Sequence, residues 1–194
     1  MDAPAKPIIN ITGQRVALGP IREDLLPLYE RWENDFEVIR THIQTPMPMT
    51  AEVMRRWFER VRSGTERIPF TVYARERMQP IGLSGLMGVD FRNRTAELHI
   101  TISEADFRGR GYGTETAGLV LDYAFTALGL RSVMLTAVDY NHAGLRVYEK
   151  LGFREIGRRR EAFLYGGRLR DVVYMDILAG EFESPVLAAI FDGG

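Results

Sequence analysis

The chain has no cysteine, which excludes disulfides, thiol catalysis and zinc sites built on thiolates. Its 3 histidines, His42, His99 and His142, do not sit at a metal-ligand spacing, and no metal is expected. Neither sign of charge dominates. The 25 basic and 26 acidic residues leave a formal net charge of −1, too little field to recruit nucleic acid. Lysine is almost missing, Lys6 and Lys150 being its only occurrences, so arginine carries nearly all the positive charge. No apolar run approaches the roughly 20 residues of a membrane-spanning helix. The start, MDAPAKPIIN, lacks the apolar stretch of a secretory signal. The expectation is a cytoplasmic protein with no membrane or nucleic-acid partner. What is present is ordinary for a globular protein: 194 residues, 45% hydrophobic and 26% charged.

Residues 1–12 read as a flexible lead, 13–180 as a single domain and 181–194 as a C-terminal tail or arm. A short strand is expected at 15–19. Leu25, Leu28, Tyr29 and Trp32 follow at helical spacing, with Asp24 as the expected N-cap. Thr50 is expected to cap a second helix in which Val53, Trp57, Phe58 and Val61 recur, ending at Ser63-Gly64. Strands come next at 68–74, 81–89 and 96–103. In the last, Ala96, Leu98, Ile100 and Ile102 share one face, and Glu97, His99 and Thr101 the other. The period then lengthens: Ala117, Leu121, Ala124, Phe125 and Leu128 make a helix closed by Gly129. Ser132–Val138 is a β-branched strand, 141–151 an amphipathic helix ended by Gly152, and 153–157 and 172–178 are final strands. The pattern describes one α+β domain with a mostly antiparallel sheet.

Between a strand and a helix lies Phe107-Arg108-Gly109-Arg110-Gly111-Tyr112-Gly113-Thr114. Glycine at alternate positions lets the main chain approach a ligand closely. Free N–H groups leading into a helix start form an anion-binding nest, reinforced by the helix dipole. With Arg108 and Arg110 adding charge, a pyrophosphate fits; a flexible turn with solvated arginines is the bland alternative. The segment is not a Walker loop, because the chain has no Gly-Lys pair. Its G-x-G-x-G spacing is also one residue short of the dinucleotide fingerprint.

Arg108-x-x-Gly111-x-Gly113 resembles the Arg/Gln-x-x-Gly-x-Gly/Ala signature of the GNAT superfamily of N-acetyltransferases. Ala96-Glu97-Leu98 precedes it on a strand. NHAGLRVYEKLGF, from Asn141, is similar to the superfamily's second motif, Asn…Tyr-x-x-x-Gly-Phe. EAFLYGGRLRDVVYMDIL resembles the end of the branch holding ribosomal-protein N-terminal and spermidine/spermine acetyltransferases. The resemblance is dense over 96–178 and looser over 15–89. It implies a mixed, mostly antiparallel seven-stranded sheet splayed between its fourth and fifth strands, with about four flanking helices. It also implies acetyl-CoA as co-substrate, with its pantetheine arm pairing along the fourth strand at Ile100 and Ile102. The pyrophosphate is then expected on Arg108 and on the amides of Gly109, Arg110, Gly111, Tyr112, Gly113 and Thr114. By the same analogy Asn141 contacts the arm, besides an expected N-cap role. Gly144 departs from the serine that relatives often carry.

Moving an acetyl group from a thioester to an amine requires a deprotonated amine, a donor for the developing oxyanion and a proton for the departing thiolate. A main-chain N–H near His99 to Ile102 is the oxyanion donor that the resemblance implies. Tyr148, matching the superfamily's tyrosine, is the candidate general acid; packing on the core face with Leu145 and Leu151 is its alternative. Glu97 is the leading base, acting through water, with pairing to an arginine as the structural alternative. His99 serves instead if its ring faces the amine, its reference pKa of ~6.5 suiting neutral pH; otherwise it simply packs. His42 and His142 read as surface groups. With no cysteine to form an acyl-enzyme, direct attack in a ternary complex is expected.

The acceptor stays open. It is a small-molecule amine (polyamine, amino sugar, amino acid or antibiotic), a protein N-terminus or lysine, or is missing altogether in an acyl-CoA-binding module. Glu33, Asp35, Asp90, Asp139 and Glu161 are available to rim an acidic pocket for a polyamine. A homodimer is expected from the branch, through the hairpin at 165–178 or the apolar tail at 186–191.

Overall fold

The computed structural model describes residues 6–191. Among them, 8 strands form one sheet in the order β1-β2-β3-β4-β5-β6-β8-β7. They are β1 (Ile11–Thr12), β2 (Val16–Pro20), β3 (Arg67–Ala74), β4 (Gln79–Asp90), β5 (Thr95–Ile102), β6 (Ser132–Val138), β7 (Arg154–Tyr165) and β8 (Arg168–Leu178). Neighbours are antiparallel except β5 and β6, which run parallel. The strand beyond the seven expected is β1. Its 2 residues pair with Leu18 and Ala17, and so short a segment has no periodicity to read.

Alternation along β3, β4 and β5 divides their side chains between two covers. One face meets α1 (Leu26–Glu33) and α3 (Ala51–Ser63), where Tyr29, Trp32, Met54 and Phe58 form a small core. The other face sends Val72, Leu86, Leu98 and Val133 into a larger core under α4 (Tyr112–Asp122). Ala117, Val120 and Leu121 of α4 are fully buried there. α5 (His142–Lys150) contributes Tyr148 to the same core. Each buried large aliphatic side chain stabilises by about 1.5–3 kcal/mol, so the sheet is held firmly to α4.

Helix starts follow local hydrogen bonding. Thr50 caps α3 as expected, its Oγ1 accepting from Val53 N at 3.3 Å. Asp24 does not cap α1, because Arg22 takes its carboxylate with Nε at 2.8 Å and Nη2 at 2.6 Å. A 3-10 turn at Glu23–Leu25 leads into α1 instead. The short α2 (Phe36–Ile39), which no pattern announced, is capped by Asp35 accepting from Glu37 N at 2.9 Å.

α4 continues past Asp122 as a single π-turn, Tyr123–Ala127, and the chain reverses at Gly129. The buried Asp122 carboxylate accepts from Thr126 Oγ1 (2.8 Å), Ser184 Oγ (2.6 Å), Val186 N (3.0 Å) and Leu187 N (2.9 Å). These bonds fasten the chain after β8 to α4, bury Leu187 and precede the short α6 (Ala188–Phe191). Among the described residues no helix is long and apolar enough to cross a membrane.

Asp122→Ala strands several buried donors at once. Since each bond to a charged acceptor contributes about 1.5–3 kcal/mol net, we expect a loss of at least about 3 kcal/mol. A urea titration reads it as a lower midpoint at unchanged slope.

Candidate active site

β6 pairs with β8 from Ser132 to Val138, but its other edge meets β5 only at Thr95↔Ser132, Ala96↔Val133 and Glu97↔Met134. β5 stays paired to β4 through Ile102. The sheet therefore parts beyond Glu97, between the strands that the seven-strand reading numbers fourth and fifth. Ser103 N donates to Ile81 O on the β4 side, so by alternation the main-chain groups of Ile100 and Ile102 face the gap.

The glycine-rich turn stands at the end of that gap. Gly109 (φ 70°) and Gly111 (φ 88°) adopt left-handed conformations that other residues resist, and Gly111 is the N-cap of α4. Among the described residues, the N–H groups from Gly109 to Thr114 find no acceptor. Adjacent free donors at the positive end of an 11-residue helix suit a polyanion.

Arg108 turns its guanidinium onto the chain itself. Nε donates to Ile102 O at 2.9 Å and Nη2 to Ser103 O at 2.6 Å, while Nη1 lies 3.5 Å from Glu37 O. The turn is thereby tied to the end of β5 and to α2. Arg15, which carries no motif, braces the turn from the other side: Nη1 donates to Arg110 O at 2.8 Å. Its main-chain N–H donates to Glu115 Oε1 of α4 at 2.9 Å. Arg110 is exposed. The Tyr112 ring stands edge-on to Phe107, with centroids 5.1 Å apart. An added Cβ at Gly113 would meet Ile102 Cγ1 at 3.7 Å, so the helix start lies close over β5.

The gap opens onto a cavity of about 800 Å³, on the face of the sheet that α1 and α3 cover. Glu97, His99, Asn141 and Tyr148 all line it, together with Thr136. Glu97 Oε1 accepts from Thr136 Oγ1 at 2.9 Å, across the parted strands. Among the described residues, this hydroxyl, and not an arginine, is the partner of Glu97. Within β6 the hydroxyl of Thr136, the one polar side chain after Ser132, was the hint of it.

His99 is held below its ordinary pKa of 6.5, first by burial and then by the charge of Arg67. His42 is not a surface group: its ring lies 5.8 Å from that of His99, and Nε2 is 2.8 Å from Thr101 Oγ1. Burial, and secondarily His99, pushes its pKa down to about 4. Both imidazoles are thus neutral near pH 7. His142 is exposed, as expected.

Tyr148 is 9% exposed and packs edge-on to Phe153 at 5.9 Å. Burial pushes its pKa up to about 12. Asn141 caps α5, its Oδ1 accepting from Gly144 N at 3.0 Å. A Cβ at position 144 would lie 2.5 Å from Asn141 Nδ2, so glycine there and this capping conformation belong together. Of the acids available to rim a polyamine pocket, Glu33 reaches the cavity wall; Asp35, Asp90, Asp139 and Glu161 do not line it.

A family model described as acetyltransferase (GNAT) domain matches residues 15–154. Spermidine N(1)-acetyltransferase of Escherichia coli (strain K12) is 28% identical over 167 residues, covering 86% of this chain and 88% of that protein. Alpha/beta-tubulin-N-acetyltransferase 9 of Homo sapiens is 26% identical over 160 residues, covering 75% of this chain and 75% of that one. The crystal structure of spermidine N-acetyltransferase from Vibrio cholerae, in complex with CoA and spermine, matches with a TM-score of 0.80. That match covers 86% of this chain and 97% of the other at 24% identity, and it speaks for the fold.

His42 also sets a pH dependence. Its pKa is 6.5 when unfolded and about 4 when folded, so between those values the unfolded chain binds the extra proton. Stability is therefore complete above pH 6.5 and falls as pH drops toward 4, by up to about 3 kcal/mol from this group. His42→Gln should shallow that slope in urea titrations across the window; an unchanged slope would contradict the buried neutral ring.

Proposed function

We propose that this chain, which belongs to the GNAT acetyltransferase family, moves the acetyl group of acetyl-CoA to a primary amine of a small molecule by direct attack in a ternary complex. The observation that carries the reading is two sets of outward main-chain donors, one along the gap and one at its end. The N–H groups of Ile100 and Ile102 face the gap, and the unbonded amides of Gly109 to Thr114 stand at its end.

A pantetheine arm takes the role of the absent neighbouring strand, and a pyrophosphate takes the turn, where charge-assisted bonds contribute about 1.5–3 kcal/mol each. Arg108 and Arg15 act at one remove, holding the carbonyls of Ile102, Ser103 and Arg110 so that the amides remain outward. An N–H within 99–102 supplies the oxyanion donor. Glu97 takes the amine's proton through water, with neutral His99 beside it as the second base. Tyr148 keeps its proton at every working pH and donates it to the departing sulfur. Asn141 holds the arm near the start of α5. With no cysteine available, attack on the thioester is direct.

The transferase unit is residues 13–180, a reading supported by β2 to β8 lying in one sheet. A small-molecule acceptor is supported by the relative named for spermidine and by a cavity of about 800 Å³, the size of an ordinary small-ligand site. The tubulin-named relative favours a second reading, a protein N-terminal α-amino group. Family membership sets aside a binding module without catalysis. A homodimer belongs to the proposal, supported by Leu164, Tyr165 and Leu169 standing exposed at the β7–β8 turn. So does a cytoplasmic location, where a chain without cysteine needs no oxidising compartment.

A screen of amines should find at least one that accelerates thiol release from acetyl-CoA; none doing so would sink the assignment. Tyr148→Phe should lower kcat by about 10²-fold at nearly unchanged KM for acetyl-CoA, and full turnover would reduce Tyr148 to a packing residue. Arg108→Ala should weaken acetyl-CoA at least about tenfold in calorimetry, through loss of the charge-assisted bonds that tie the turn to the end of β5. Wild-type affinity would remove the turn from the cofactor site.

A further inference from the structure

The acceptor side of the cavity carries more positive than negative charge. α3 presents Val53, Arg56, Trp57 and Arg60 to it, at i, i+3, i+4 and i+7 on one helix face. Arg67 also lines the wall from the start of β3. The register Arg67↔Met87↔Glu97 puts its side chain on the same sheet face as Glu97, two strands away, a separation of about 10 Å. The Arg67 charge is felt at His99, so the guanidinium stands close to where the amine would be activated.

The opposing charges are few. Glu97 and Glu33 are the carboxylates on the wall. Glu97 accepts from Thr136 and Glu33 from Gln44 Nε2 at 3.2 Å, so part of each carboxylate's acceptor capacity is already taken. His42 and His99 are neutral. Arg56 rests loosely on Glu52 at 3.7 Å. Among the described residues Arg60 and Arg67 have no carboxylate within ion-pair distance. A guanidinium fork binds carboxylate or phosphate in two-point fashion. A polycation entering the same space meets like charges at close range, which is a penalty for the wrong partner.

We infer that the acceptor is a zwitterionic small molecule, an amine that also bears a carboxylate or phosphate, held at its anionic end by Arg56, Arg60 and Arg67. The inference rests on the acetyl-transfer reading for the amine end, but the anion subsite is tested without turnover. Calorimetry on the protein saturated with CoA, which occupies the glycine-rich turn, compares matched pairs: L-lysine with cadaverine, L-phenylalanine with 2-phenylethylamine, phosphoethanolamine with ethanolamine. In at least one pair the acid-bearing member should bind tenfold or more tightly, and the pair that discriminates tells carboxylate from phosphate. In Arg60→Gln/Arg67→Gln that ratio should fall to near one. Both side chains are exposed, and each single variant, expected to lose part of the ratio, provides the same readout if the double variant does not fold. Equal or weaker binding of the acid-bearing member in every pair, or tightest binding by spermidine, overturns the inference. So does a ratio that survives the substitutions. Acid-selective binding with no thiol release for any amine would keep the subsite and sink the transferase reading; turnover without acid selectivity would do the reverse.

Discussion

β6 gives one edge to β8 over its whole length and shares only three residue pairs with β5 on the other. Neighbouring strands are rotated by about 20–25°, so two strands tied together at one end and to different partners elsewhere diverge as they run. The divergence leaves main-chain donors on β5 facing a gap, and a backbone group near a protein interior is costly without a partner. Everything on the acceptor side is arranged around that gap. The Glu97–Thr136 bond spans its closed end, Asn141 and Tyr148 look in from α5, and the glycine-rich turn terminates it. A ligand with its own amide groups completes the ladder, which is why an extended, peptide-like arm suits the gap better than a compact one.

The turn works because two arginines, Arg108 within it and Arg15 outside it, are spent on main-chain carbonyls. Had Arg108 pointed outward, it would have added one charge at a flexible position. Turned inward, it fixes Ile102 and Ser103, and Arg15 fixes Arg110, so a row of amides is presented in a set direction. Preorganised donors of this kind bind an anion without reordering at the moment of contact. The same economy governs the cavity. Burial keeps both histidines neutral and raises the Tyr148 phenol, so the formal charges on the wall come from glutamates and arginines alone.

What could be read beforehand was whatever repeats or punctuates. Ser132–Val138 was delimited residue for residue, because β-branched residues end abruptly at polar ones. The alternation of β5 correctly separated Glu97, His99 and Thr101 from the core side, since a half-buried strand must alternate. The glycine-rich turn was legible because glycine at alternate positions is costly unless a conformation requires it. Asp24 misled because a good capping residue is equally good for an arginine two positions earlier. His42 was invisible as a cavity residue because it sits in an irregular stretch whose place is decided by packing on His99 and Thr101. Arg60 and Arg67 were hidden by abundance. In a chain whose cations are nearly all arginine, no single one stands out until α3 turns Arg60 to the cavity and the register sets Arg67 two strands from Glu97.

The raised phenol of Tyr148 looks at first like an argument against a proton donor. A pKa of about 12 lies well above an ordinary thiol near 8.5, and the gap of about 3.5 units corresponds to roughly 5 kcal/mol uphill. That comparison uses a thiol in water, however, and a phenol in the protein. Desolvation disfavours the charged form of both groups in the same direction, so a thiolate released into the cavity beside Tyr148 is itself a stronger base than its value in water implies. The two pKa values therefore move together, and the penalty shrinks toward the difference between two similarly buried acids. In the proposed role a neutral phenol also has an advantage that a stronger acid would lack: it would carry its proton at any pH at which an amine is free to attack.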